Sequence, residues 1–178
     1  VPSVPWDFRI APNEFSPWKF FWIPAYHYNA KVAPLDGFAV RGVLWYQGES
    51  DSTSWMLDNY QRQFEILISA WRGLLQDDDL PFIFVQLASY GTGSDWAETR
   101  WAQYNTAKDV ENVFMANIID LGEEKDIHPR NKTDVGLRLE KIALSEVYGK
   151  SCVKAFGPTL KDIQYCNCMA VVDFECDG

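Results

Sequence analysis

Ala39-Val40-Arg41-Gly42-Val43-Leu44-Trp45-Tyr46, followed at once by Gln47-Gly48-Glu49-Ser50-Asp51, is the stretch on which the fold turns. Its first part is mostly apolar, of strand length, and lacks the strict alternation of a half-exposed strand. That texture predicts a strand covered on both faces, as in a parallel sheet. Downstream, Leu57, Tyr60, Phe64, Leu67, Ile68, Trp71 and Leu75 recur at steps of three and four, one apolar stripe of a long helix. Asp77-Asp78-Asp79 ends it, and reads as a solvated turn because the alternating ligands of a calcium loop are absent. Residues 81–87 predict a second buried strand, and 91–94 a loop. The glycine pair of that loop lacks the third glycine of a dinucleotide fingerprint. A second helix is expected from about Trp96 to Val110, then a third strand over 113–120. A loop over 121–130 leads to a third helix with Val135, Leu139, Ile142 and Ala143 on one face. Strand and helix in strict alternation predict an α/β fold, a parallel sheet with helices on both sides.

The flanks read differently. Residues 1–24 are rich in proline and aromatics without a period, and 26–34 form a short helical stretch that Gly37 terminates. The start, Val1-Pro2-Ser3-Val4-Pro5, shows neither an initiator Met nor a signal-peptide pattern, and is expected to be that of a mature product or a fragment. After Tyr148-Gly149 the texture changes to Gly157-Pro158, short polar alternation and cysteines. The expected division is therefore an α/β domain over 1–150 and the start of a β-rich module over 151–178, which breaks off at Gly178.

Bulk properties exclude several classes. The net charge is −9, whereas a nucleic-acid or anionic-membrane binder needs a basic surface. No apolar run approaches the roughly 20 residues of a membrane span; Phe20-Phe21-Trp22-Ile23 is cut short by Pro24. All four cysteines, Cys152, Cys166, Cys168 and Cys176, lie near the C-terminal end. Their spacing does not match a zinc knuckle, so no metal site is expected and disulfides are. Disulfides, with the sequon Asn131-Lys132-Thr133, point to a secreted or lysosomal protein.

In a parallel sheet, chemistry gathers at the carboxyl ends of the strands. The loop after the first strand holds Gln47, whose amide can donate to a developing oxyanion, and Gly48, which lets backbone approach closely. Glu49 there can orient a neighbour or accept from a substrate hydroxyl. Ser50 or Asp51 is expected to cap the following helix. The loop after the third strand holds Asp126-Ile127-His128-Pro129. A carboxylate bonded to one ring nitrogen would fix the tautomer and leave the other free as a general base. His27, the other histidine, sits in an aromatic segment and reads as structural. Ser50 is a candidate nucleophile on an incomplete motif: Gly48-Glu49-Ser50 opens like a nucleophile elbow, but Ser52 stands where the closing glycine belongs.

These blocks resemble the sialate O-acetylesterases, a branch of the SGNH (GDSL-type) hydrolases related to carbohydrate acetylesterases. The resemblance is carried by residues 28–35, by Arg41-Gly42-Val43-Leu44-Trp45-Tyr46-Gln47-Gly48-Glu49-Ser50-Asp51, and by Pro81-Phe82 with Val85-Gln86-Leu87. Trp96-Ala97-Glu98 with Arg100, and Asp126-Ile127-His128-Pro129-Arg130-Asn131-Lys132, follow in the same order. The resemblance implies an α/β/α sandwich and hydrolysis of acetyl esters on sialic acid or similar sugars, without metal or organic cofactor. It implies His128 as catalytic base, Asp126 as its orienting acid, and Gln47, with Gly48 and Glu49 beside it, at the oxyanion block. Many SGNH enzymes place the acid three residues before the histidine, where Lys125 stands here. The family's Gly-Gln-Ser-Asn-like block with the nucleophilic serine does not occur in these residues, so that serine is expected upstream. An acetylxylan esterase is one alternative. Another is a non-catalytic sugar binder in which Trp45, Tyr46, Trp96 and Trp101 supply stacking surfaces.

Overall fold

A computed structural model of the chain describes residues 25, 27–52, 58–91 and 94–176. Three strands form a parallel sheet in the order β1 (Val43–Trp45), β2 (Phe82–Val85), β3 (Val113–Ala116). Val43 pairs with Phe82, and Phe82 with Val113, so the strands start level and their exits form one edge. Between and after them run α1 (Tyr60–Leu75), α2 (Ser94–Asp109) and α3 (Lys132–Ile142).

Alternation along β2 sorts the core into two layers. Phe82 and Phe84 meet Tyr60, Phe64 and Ile68 of α1, with Val113 beside them. Phe64 sets its ring edge-on to Phe84 at 5.0 Å between centroids. On the opposite face Ile83 packs with Ala116 and Ile142, and Val85 with Ala88, Ile118 and Val135. Every residue of β2 is buried, as its unbroken apolar run requires, and each such side chain stabilises the fold by about 1.5–3 kcal/mol. Arg72 closes the strand-entry end, donating to the carbonyls of Leu80 at 3.1 Å and Glu111 at 2.7 Å.

Several expectations need correction. β1 spans three residues rather than 39–46, and it is not covered on both faces: Leu44 is 63% exposed. Among the described residues β1 pairs only with β2, and α3 packs over β2 and β3, leaving that face of β1 open. The helical stretch is a π-turn, Tyr28–Val32, running into a 3₁₀ turn, Ala33–Leu35, where Pro34 is accommodated. Leu57, at the head of the α1 stripe, lies outside the described residues. The third strand stops at Ala116, and a 3₁₀ turn covers Ile119–Leu121. In the acidic triplet Asp77 Oδ1 accepts from the Asp79 N–H at 3.1 Å, closing a local turn.

Past residue 150, Ala155 packs on the α3 side of the sheet. An antiparallel hairpin follows, β4 (Thr159–Cys166) and β5 (Met169–Glu175), turning at Asn167, whose φ is +54°. Its residues are exposed, and all four cysteines are free, exposed thiols.

Candidate active site

The exits of the three strands carry the residues that the sequence singles out, and hydrogen bonds stitch those exits together. Tyr46 packs its ring into the Val85–Ile118–Val135 cluster and accepts at its hydroxyl from Lys132 Nζ at 3.2 Å. The same ammonium lies 4.4 Å from the Tyr46 ring centroid, a cation–π contact. Tyr46 immediately precedes Gln47, and Lys132 opens α3 four residues after His128. The loop after β2 joins the loop after β3 through the Gly91 N–H, which donates to the Glu124 carbonyl at 3.2 Å. Gly122 lies so close to Ser89 that no side chain fits there.

At the β1 exit, Gly48 is buried with φ +148°, while Gln47 and Ser50 are exposed. Glu49, Ser50 and Asp51 form a 3₁₀ turn. Gln47 Nε2 donates to Asp51 Oδ2 at 2.7 Å. An amide nitrogen carries two protons, so this bond anchors the side chain and leaves the second N–H for another acceptor. Neither Ser50 nor Asp51 caps α1. The N-cap is Asn59, with no side-chain bond, because the 3₁₀ turn and the residues after it separate the two. A cavity of about 110 Å³ beside the turn is lined by Trp45, Gln47, Asp51, Tyr60, Gln63, Phe64 and Leu67. A larger one, about 790 Å³, runs along β3 and residues 154–159 and touches neither Gln47 nor His128. Size therefore does not identify the site; the placement of polar groups does.

His128 is not buried in apolar packing: its side chain is 84% exposed. Asp126 Oδ1 accepts from the backbone N–H of His128 at 2.9 Å and lies 3.8 Å from its Nδ1. The acid thus fixes the turn on which the imidazole rides, at a distance too long for a hydrogen bond to the ring. Arg130 Nε stands 4.0 Å from the other Asp126 oxygen, and Glu123 accepts from the Arg130 N–H at 3.0 Å. Asn131 is the N-cap of α3. Its Oδ1 accepts from the Asp134 N–H at 3.2 Å, and its Nδ2 donates to Asp134 Oδ2 at 2.7 Å.

Other polar residues at this edge had no role in the sequence reading. Gln86 is buried; its Nε2 donates to the Arg100 carbonyl at 2.9 Å, and its Oε1 accepts from the Arg100 guanidinium at 3.3 Å. Burial pulls the Arg100 pKa below its ordinary value, and its buried Nε has no hydrogen-bond partner among the described residues. Ser89 is, like Ser50, an exposed serine on a strand-to-helix loop. The four aromatics expected as stacking surfaces differ in exposure, Trp45 and Tyr46 being half-buried. Trp45 lies 6.2 Å from Phe82 in the core, and Trp96 is buried with Nε1 bonded to the Ala88 carbonyl at 2.7 Å. Trp101 is exposed, and stacks on Tyr104 at 5.3 Å.

A family model described as carbohydrate esterase, sialic acid-specific acetylesterase, matches residues 23–145. The chain belongs to that family. Its relatives include the sialate O-acetylesterase of Mus musculus, 36% identical over 157 residues, which span 77% of this chain and 29% of the mouse protein. The sialate O-acetylesterase of Homo sapiens is 30% identical over 182 residues, spanning 91% and 33%. Among solved structures, a carbohydrate acetylesterase from Xanthomonas citri superposes with a TM-score of 0.77 at 38% identity, covering 85% of this chain and 36% of that one. The acetylesterase-family chain thus spans about a third of the length of these relatives. The likeness supports the mixed α/β fold with its parallel sheet.

Proposed function

We propose that the chain forms the histidine-bearing part of a serine acetylesterase that removes O-acetyl groups from sialic acid or a related sugar. The observation that supports the reading is the Tyr46–Lys132 contact, which ties the residue before the Gln47-Gly48-Glu49 turn to the start of α3, four residues after His128. In the proposed reaction a serine outside the present sequence attacks the acetyl carbon. Its proton passes to the His128 imidazole, and the imidazolium then protonates the departing sugar oxygen. Asp126 holds the loop and offsets the imidazolium charge. The free N–H of Gln47 donates to the oxyanion. Water, deprotonated by His128, then releases acetate and regenerates the serine.

In the full-length protein, His128→Ala is expected to lower kcat/KM on an aryl acetate by about a thousandfold or more. The 178 residues by themselves are expected to release no acetate. Turnover by the isolated chain would defeat the external-serine part and bring Ser50 and Ser89 forward. Comparison of O-acetylated sialic acid with acetylated xylan assigns the sugar. A secreted or lysosomal location belongs to the same proposal, and fractionation of cells that express the full-length protein should find it in the medium or in lysosomes.

A further inference from the structure

Gln103 is a polar residue in the middle of α2, yet it is fully buried. Both ends of its amide are used. Oε1 accepts from the Leu87 N–H at 2.9 Å, and Nε2 donates to the Tyr60 hydroxyl at 3.1 Å. The amide is fixed in one orientation, because flipping it would set its NH2 against the Leu87 N–H and leave two buried donors facing each other. Tyr60, the first residue of α1, is buried as well. Directly above this pair sits Gly48. A side chain built there would begin 2.8 Å from the Tyr60 oxygen and 3.1 Å from Gln103 Nε2, so the Gly48 backbone rests on the two polar atoms. Leu87 belongs to the exit of β2 and Gly48 to the exit of β1, and the hydrogen-bonded pair spans them from the two helices.

We infer that Gln103 and Tyr60 are positioning residues that hold the Gln47-Gly48-Glu49 turn in its working shape, an assignment that rests on reading that turn as the oxyanion block. Neither touches substrate. They act on the Gly48 backbone, and through it on the direction of the Gln47 amide. Hydrogen bonding gives the floor one register, where an apolar floor of equal volume would let the turn slide. Catalysis is sensitive to such sliding, since an oxyanion donor works only when held in place before charge develops.

The test uses the full-length protein with Gln103→Met, Tyr60→Phe and the double variant, alongside Gln47→Ala. Hydrogen exchange of the Asp51 and Ser52 amides, which donate to Gly48 and Glu49, reports the turn directly. In Gln103→Met these amides should exchange about tenfold faster or more while the β2 amides stay protected. On an aryl acetate kcat should fall about tenfold with KM within about twofold, and the double variant should lose no more than Gln103→Met alone. Wild-type exchange of the turn, or wild-type kcat, in folded Gln103→Met overturns the assignment. Should that variant fail to fold, Tyr60→Phe, which keeps the ring packed on Phe64, decides by the same two readouts. Full activity of Gln47→Ala would instead remove the oxyanion reading, and the exchange comparison alone would then judge whether the pair holds the turn.

Discussion

Gly48→Ala puts the tightest point of the site under a measurable load. The residue has φ +148°, outside the range that L side chains readily adopt. Holding alanine there costs about 1–3 kcal/mol in backbone strain. The added methyl would also lie 2.8 Å from the Tyr60 oxygen, 3.1 Å from Gln103 Nε2 and 3.5 Å from Leu87 Cδ2. Two of these contacts belong to a buried hydrogen-bonded pair that cannot step aside without losing its bond, which adds about 1–3 kcal/mol of overpacking. The sum, about 2–6 kcal/mol, corresponds to a fall in Tm of roughly 4–24 °C for a chain of this size. Scanning calorimetry at neutral pH reads it directly. Tyr60→Phe separates the two contributions, since removing the hydroxyl removes the shortest contact and leaves the backbone strain. The penalty of Gly48→Ala should therefore shrink by about 1–2 kcal/mol in that background without vanishing. A Gly48→Ala protein melting within about 1 °C of wild type would refute both the strained backbone and the close approach.

Burial pushes the Tyr60 hydroxyl up from 10.0 to about 12. Because the folded pKa is raised, the neutral phenol's contribution is complete below pH 10 and is lost between pH 10 and 12. It amounts to about 2–3 kcal/mol, and urea titrations across that window should show a loss that Tyr60→Phe lacks. The Arg138 guanidinium, bonded to both Asp120 oxygens at 2.6 Å, holds that carboxyl down at about 2. The folded pKa is depressed, so this contribution is present above pH 4 and disappears towards pH 2; Asp120→Asn should flatten that limb of an acid-unfolding curve. Asn131→Ala removes the α3 cap and should lower stability by about 1 kcal/mol in chemical denaturation.

Local pattern was enough wherever one chain segment carried its own signal. The Tyr60–Phe64–Ile68–Leu75 stripe named the core face of α1, and the unbroken run 82–85 named the central strand, because apolar burial depends mainly on each residue's own chemistry. The loops of Gln47 and His128 could be assigned to strand exits because parallel strands place all their exits on one edge. The buried face of α2 was not readable in this way. Thr99, Gln103 and Thr106 are fully buried there, the threonines bonded back to the carbonyls of Asp95 and Ala102 at 3.0 Å. Burying a polar side chain costs least when its partners are supplied. For Gln103 the partners are Leu87 and Tyr60, and for Gln86 the partner is Arg100. The sequence by itself determined the alternation of elements, the apolar layers and the catalytic candidates. Tertiary structure alone decided which polar groups meet, that Leu44 stays open, and that Asp126 bonds the backbone rather than the ring of His128. The physical reason is that a hydrophobic contact accepts many neighbours, whereas a hydrogen bond needs one particular atom, delivered from another part of the chain at the right distance and angle.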